Sequence, residues 1–176
     1  MMYSQENNLL IQSYFSTAFL IELQNLKFLD SDYYKDAEFQ DKYVQKHLPS
    51  IGIVNHGSML MILYALLIIP KELIEKNYQQ DFDNLNQFVD SIKSKANSTY
   101  KNDSPSIDYI RHIRNSVAHA KVSFNSKKEV VFLDENNNGS ECTIIIPLAD
   151  MEQFIKELRS IFFKHINNLQ QEMSSK

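Results

Sequence analysis

Over most of this chain apolar residues recur every three or four positions, the spacing of helices that bury one face. Leu9, Leu10, Tyr14, Phe15, Phe19, Leu23 and Leu26 predict a helix from Asn8 to Phe28. Asp30 to Lys46 is polar and aromatic and reads as a loop with a short helix. Asn55 to Lys76 is strongly apolar, with Met59, Leu60, Ile62, Leu63, Leu66, Leu67 and Ile69, and is the expected central helix. Pro70 is expected to kink or end it. Asp81 to Asn97 forms a further helix with Leu85, Phe88, Val89 and Ile92 inward. Ser104-Pro105 then fits an N-cap with proline at the first helical position, opening a helix that runs to about Lys121.

The period changes only once. Glu129 to Leu133 and Cys142 to Ile146 are β-branched runs on either side of an Asn-rich stretch containing Asn138-Gly139, which predicts a β-hairpin. Asp150 and Gln153 resemble a capping box. A last helix follows, carrying Met151, Phe154, Ile155, Leu158, Ile161, Phe162, Ile166 and Leu169 on one face. The expected fold is all-α: one domain over residues 1–176, an antiparallel bundle of about five helices with one small hairpin before the last helix.

Composition narrows the function classes. Three glycines cannot build a phosphate-cradling loop, and one cysteine cannot make an internal disulfide or a multi-cysteine zinc site. Cys142 reads as a small buried apolar side chain. No cofactor or metal is expected. The beginning of the chain has no signal-peptide pattern, and the longest apolar run, Met59 to Pro70, is shorter than the roughly 20 residues a membrane span needs. A cytoplasmic protein without membrane contact is the expectation.

The net charge of −4 argues against a generic nucleic-acid coater. Ser104 to Val130 nevertheless carries +3, leaving −7 on the rest. A local basic patch on an acidic body suits a confined polyanion site.

The candidate chemistry lies in that segment, in Arg111-His112-Ile113-Arg114-Asn115-Ser116-Val117-Ala118-His119. At 100° per residue, Ile110, Ile113, Val117 and Ala120 make one apolar arc. Arg111, Asn115 and His119 follow at i, i+4 and i+8, with Arg114 and His112 beside the row, so these polar groups are expected on one solvent-side arc. The types suit phosphoryl chemistry: His exchanges protons near neutral pH, Arg forks onto phosphate oxygens, and Asn holds a tautomer or a substrate. The bland alternative is a solvated helix face.

Arg114-Asn115-Ser116-Val117-Ala118-His119 resembles the Arg-Asn-x-x-x-His motif of the HEPN superfamily, the higher eukaryotes and prokaryotes nucleotide-binding domains. A prokaryotic branch also places a hairpin and one last helix after the motif helix. Gly57 to Glu72 resembles an earlier helix of that branch, so the likeness covers about residues 50 to 170. The resemblance implies a metal-independent endoribonuclease working as a homodimer. His119 would be the acid–base group, Arg114 would stabilise the phosphate, and Asn115 would be the polar partner; Arg111 and Lys121 would add substrate contacts. The ribose 2′-hydroxyl would attack the adjacent phosphate and leave a cyclic phosphate end. RNA is the implied substrate, and an antitoxin or other neighbouring-gene protein the implied partner of a toxin or phage-defence effector. The alternatives are a non-catalytic HEPN module that binds RNA or a protein, and a purely structural helical dimer.

Other signals are weaker. Gly57-Ser58 with Asp81-Phe82-Asp83 lacks the spacing and strands of a nucleotidyltransferase site; Asp81 and Asp83 fit a helix N-terminus. His56 reads as a cap or core residue, His165 as packing, and Tyr64, Tyr100 and Tyr109 as core aromatics.

Overall fold

A computed structural model describes residues 3–69 and 74–175. Among the described residues it contains seven α-helices: α1 (Gln5–Asn25), α2 (Asp32–Asp36), α3 (Lys42–Ile51), α4 (His56–Leu67), α5 (Gln79–Ile92), α6 (Tyr109–Ala118) and α7 (Met151–Ser174). Four strands, β1 (Lys95–Ser98), β2 (Val122–Phe124), β3 (Glu129–Glu135) and β4 (Glu141–Pro147), form one antiparallel sheet in the order β1-β4-β3-β2. The protein is thus mainly helical, but the expected hairpin is the centre of a larger sheet.

The added strands had no pattern of their own. Lys95-Ala96-Asn97-Ser98 is polar and was expected to finish α5. It pairs instead with β4, Lys95 opposite Ile145 and Ser98 opposite Cys142. β2 is three residues long and pairs with β3. The hairpin itself forms as its turn chemistry demands: Gly139 takes φ +79°, and the Asn136 side chain accepts from the backbone N–H groups of Asn138 and Ser140.

The central helix starts at a reciprocal cap, Asn55 accepting from the Ser58 N–H while the Ser58 hydroxyl accepts from the Asn55 N–H. Met59, Ile62, Leu63, Leu66 and Leu67 bury one side of it. The helix ends at Leu67; the continuation expected through Pro70 enters residues 70–73, outside the described residues. The polar stretch after α1 holds two helices, α2 and α3, where one was expected. Asp150 is the N-cap residue of α7, yet its side chain makes no cap bond, and Gln153 turns to Glu157, so no capping box forms.

α1 departs most from the expected amphipathic helix. Leu10, Tyr14, Thr17 and Ile21 face the core, whereas Leu9, Phe15, Phe19 and Leu26 are exposed. The helix carries apolar residues on two sides, and the bundle covers one of them. The core proper joins α4, α5, α6 and α7 to the inner face of the sheet, where Val130, Phe132, Ile144 and Ile146 are fully buried. α6 lies against that face, and this placement determines what its polar side chains meet. Among the described residues, no single helix is long and apolar enough to cross a membrane.

Candidate functional site on the motif helix

α6 begins later and ends earlier than its sequence suggests. The Ser104–Pro105 peptide is cis, and the N-cap is Asp108, whose carboxylate accepts from the Arg111 N–H at 3.1 Å. At the other end His119 is the C-cap. The Lys121 N–H reaches back to the Ser116 carbonyl and the Ala120 N–H to that of Val117. This is a Schellman reversal with alanine at φ +53° where glycine is favoured. A left-handed non-glycine residue costs roughly 1–2 kcal/mol. The reversal sends the chain into β2 at Val122, which explains why the helix does not reach Lys121.

Ile110, Ile113 and Val117 bury the expected apolar face, while Ala120 lies past the helix and is exposed. The expected solvent-side arc is not solvent-side throughout. His112 is 0% exposed and Arg114 9%. The reason is the sheet: α6 has protein on two sides, so an apolar arc of three residues covers only part of its buried surface.

His112 lies between two carboxylates. Its Nδ1 is 2.6 Å from Asp134 Oδ2 and its Nε2 is 2.7 Å from Asp103 Oδ2. Its Nε2 also lies 2.9 Å from Arg111 Nη2, so the ring touches both carboxylates and the guanidinium. Arg111 Nη2 donates to Asp103 Oδ1 at 2.7 Å, the Ser98 hydroxyl donates to Asp103 Oδ2, and the Arg111 guanidinium lies 5.3 Å from the Tyr100 ring centre. Burial alone would raise the pKa of Asp103, but the Ser98 hydroxyl, His112 and Arg111 outweigh it and hold the carboxyl below its ordinary value. Burial, reinforced by Asp134, pushes the Tyr100 phenol up.

Each motif residue therefore has a defined place. Asn115 is half-buried and donates from Nδ2 to Asp134 Oδ2 at 3.0 Å, the same oxygen that faces His112. Arg114 donates to Glu75 Oε2 at 2.7 Å. Lys121 pairs with Glu135 at 2.7 Å. His119 is exposed, and its ring has no hydrogen-bond partner among the described residues. Arg111 and Asn115 thus converge on one buried network, while Arg114 is held elsewhere by Glu75 and His119 stands at the helix end. The local basic patch is also largely cancelled, because Asp103, Glu75 and Glu135, all outside the segment, meet three of its five cations.

Sequence reading missed Asp103, Asp134 and Glu75. Asp134 had a signal: strand alternation from Val130 and Phe132 puts it on the inward face, where an acid needs a partner. The other two carried none, since their partners lie 8 or 9 and 39 residues away.

Asp103, His112 and Cys142 bring three possible metal-ligand atoms within 4.8 Å of one another. The donor set fits an ionic cluster better than a metal. Both imidazole nitrogens already face carboxylates, Arg111 adds positive charge, and burial pushes the Cys142 thiol up to about 11, so it is protonated at neutral pH. Cys142 is buried, as its type suggested. His165 packs edge-on against Tyr78 and bonds Asn7, and Asp81 pairs with Lys164 at 2.7 Å. Of the three tyrosines read as core residues, Tyr64 is exposed.

A mainly helical domain whose late helix carries Arg-Asn-x-x-x-His, followed by a hairpin and a terminal helix, has the features of a HEPN domain. The family model described as HEPN pEK499 p136 matches residues 1–169, and the chain belongs to that family. Comparison with curated proteins and with solved structures found no match.

Proposed function

We propose that this protein is a metal-independent HEPN endoribonuclease that cleaves RNA at a composite site between two copies of the chain. The observation that carries the reading is the state of His119. It ends the motif helix exposed and, among the described residues, its ring has no hydrogen-bond partner, while every other polar side chain of the motif is engaged. Cleavage by the 2′-hydroxyl uses a base to take its proton and an acid to protonate the leaving 5′-oxygen. Each chain supplies one motif histidine, so two-fold pairing of α6 would provide both groups. In this scheme Arg114 stabilises the phosphate, Asn115 is the polar partner, and Arg111 and Lys121 contact substrate at the edge. Support for pairing comes from a shallow apolar groove beside His119. It is lined by Leu60, Met61, Tyr64, Val117, Ala120 and Val122, and Met61 and Tyr64 are 65% and 48% exposed. Controlled by an antitoxin or another protein partner, such an RNase would serve as a toxin or phage-defence effector.

One observation favours a second reading, a HEPN module that binds RNA or a protein without cleaving. Arg111, Arg114 and Lys121, the three cations assigned to substrate, are already paired with acids.

Incubation of the purified protein with RNA in excess chelator separates the two. The expected result is cleavage leaving 2′,3′-cyclic phosphate ends, reduced about 10²–10⁴-fold in His119→Ala, with a dimer in light scattering. RNA bound but intact supports the module; a monomer that cleaves removes the composite site.

A further inference from the structure

Away from the motif helix, a cleft of about 930 Å³ opens between the end of α1, the corner joining α3 to α4, and the first turns of α7. That is within the range of small-molecule sites, roughly 300–1,000 Å³. Its floor is aliphatic, with Met59, Ile62, Met151 and Ile155 buried. Two of these are methionines, whose flexible side chains adapt to an apolar guest. The charged groups at its rim are Lys156, Arg159 and the opposing Glu152.

Arg159 differs from the other two arginines of the chain. Arg111 and Arg114 are held by carboxylates, whereas Arg159 forms no ion pair among the described residues. Its Nε is buried without a hydrogen-bond acceptor, and its guanidinium lies 5.6 Å from the centre of the Tyr14 ring. A buried N–H without an acceptor costs free energy, so this side chain is not held in place by a bond of its own. Lys156 also lacks a carboxylate within ion-pair distance among the described residues, Glu152 included. An apolar floor beneath two uncompensated cations is complementary to one kind of guest.

We propose that this cleft binds a small anionic amphiphile, a carboxylate or phosphate head on an aliphatic tail. The head meets Arg159 and Lys156, and the tail covers Met59, Ile62, Met151 and Ile155. Glu152 limits the charge the rim accepts, so Glu152→Gln strengthens binding. The site is independent of the nuclease reading.

Calorimetric titration of the full chain with decanoate, decyl phosphate and decanol, each below its micelle concentration, tests this. At least one anion is expected to bind, and which one does identifies the head group. Decanol is expected to bind about tenfold more weakly, and Arg159→Gln to weaken the anion by a similar factor while leaving decanol unchanged, as loss of a charge-assisted hydrogen bond requires. Arg159 is on the rim, and circular dichroism checks that the variant folds. Val54→Glu, which places a negative charge on an exposed lining residue, is expected to weaken both anions. Failure of both anions to bind, equal binding of decanol, or an Arg159→Gln affinity equal to wild type overturns the proposal. So does conversion of a dimer to a monomer by Val54→Glu, which would make a second copy of the chain the occupant.

Discussion

His112 and His119 stand seven residues apart on one helix, and their surroundings differ in almost every respect. His112 is sealed against the sheet between Asp103 and Asp134. His119 caps the helix end in solvent, its backbone N–H on the Asn115 carbonyl and its ring without a hydrogen-bond partner among the described residues. The middle of α6 spends its polar groups on holding helix to sheet, while its C-terminal end keeps one free. Composition puts both rings on the same helix and the motif spacing selects His119; the structure adds that the neighbours of His112 commit it and those of His119 do not.

The largest effect tests the committed side. In His112→Ala two buried carboxylates lose the ring between them, with Arg111 left to compensate on one side only. Breaking a buried charged pair costs about 3–5 kcal/mol, so the urea midpoint should fall steeply or the chain should fail to fold. A loss under about 1 kcal/mol would mean that the network is decoration and that the contrast with His119 is one of burial alone.

Arg114 lies between the two extremes, and Glu75→Gln moves it. Glu75 is partly exposed, so the expected loss of stability is smaller, about 1–2 kcal/mol. The more informative readout is RNA affinity against salt. Freed from its carboxylate, Arg114 can neutralise one more phosphate, which steepens the slope of log affinity on log salt by about 0.7 for a single strand. An unchanged slope would leave Arg114 a structural residue beside His112.

The extent to which this was legible in the sequence follows the range of the interactions. The periodicity of Met59 to Leu67 and of Met151 to Ile166 announced α4 and α7, and Asn138-Gly139 announced the β3–β4 turn; all three are local signals. The motif, too, could be read from one segment. What could not be read is supplied from elsewhere. Lys95 to Ser98 is a strand because β4 offers an unpaired edge, not because its residues prefer one. Arg114 is neutralised by an acid 39 residues away. The +3 of the motif segment was a correct count, but its field is cancelled by acids that the fold brings to it. The second apolar stripe of α1 failed in the opposite sense: Phe15 and Phe19 have helical spacing, and the bundle leaves them outside.

His165 separates commitment from burial at a smaller scale. It is as enclosed as a core residue but has a tyrosine edge and the Asn7 amide as neighbours in place of two carboxylates. Burial holds its imidazole below the ordinary value of 6.5, with Glu172 opposing. A depressed folded-state value means that the unfolded chain takes up the proton first as pH falls. This contribution to stability is present above about 6.5 and lost as pH drops through the window beneath it. Urea midpoints should decline below pH 6.5 in wild type and decline less in His165→Gln, which keeps a donor for Asn7. The Asp103 contribution has the same sign but begins to be lost only below its ordinary 3.8, well under the pH at which the His165 loss begins. Equal declines in wild type and variant would assign the acid sensitivity to another group.

The smallest expected change concerns the free end. His119→Ala removes an exposed ring with no hydrogen-bond or ion-pair partner among the described residues, so its urea midpoint should match wild type within about 0.5 kcal/mol, the ordinary range for surface positions. That near-zero result matters because the same variant is expected to lose RNA cleavage. A side chain that contributes almost nothing to folding, on a helix whose other polar groups contribute a great deal, is available for work on a ligand. Should His119→Ala instead destabilise the protein as His112→Ala does, the ring must be packed against something outside a single chain. The first place to look is then the proposed dimer contact beside Met61 and Tyr64, and a stability that rises with protein concentration in wild type but not in the variant would locate it there.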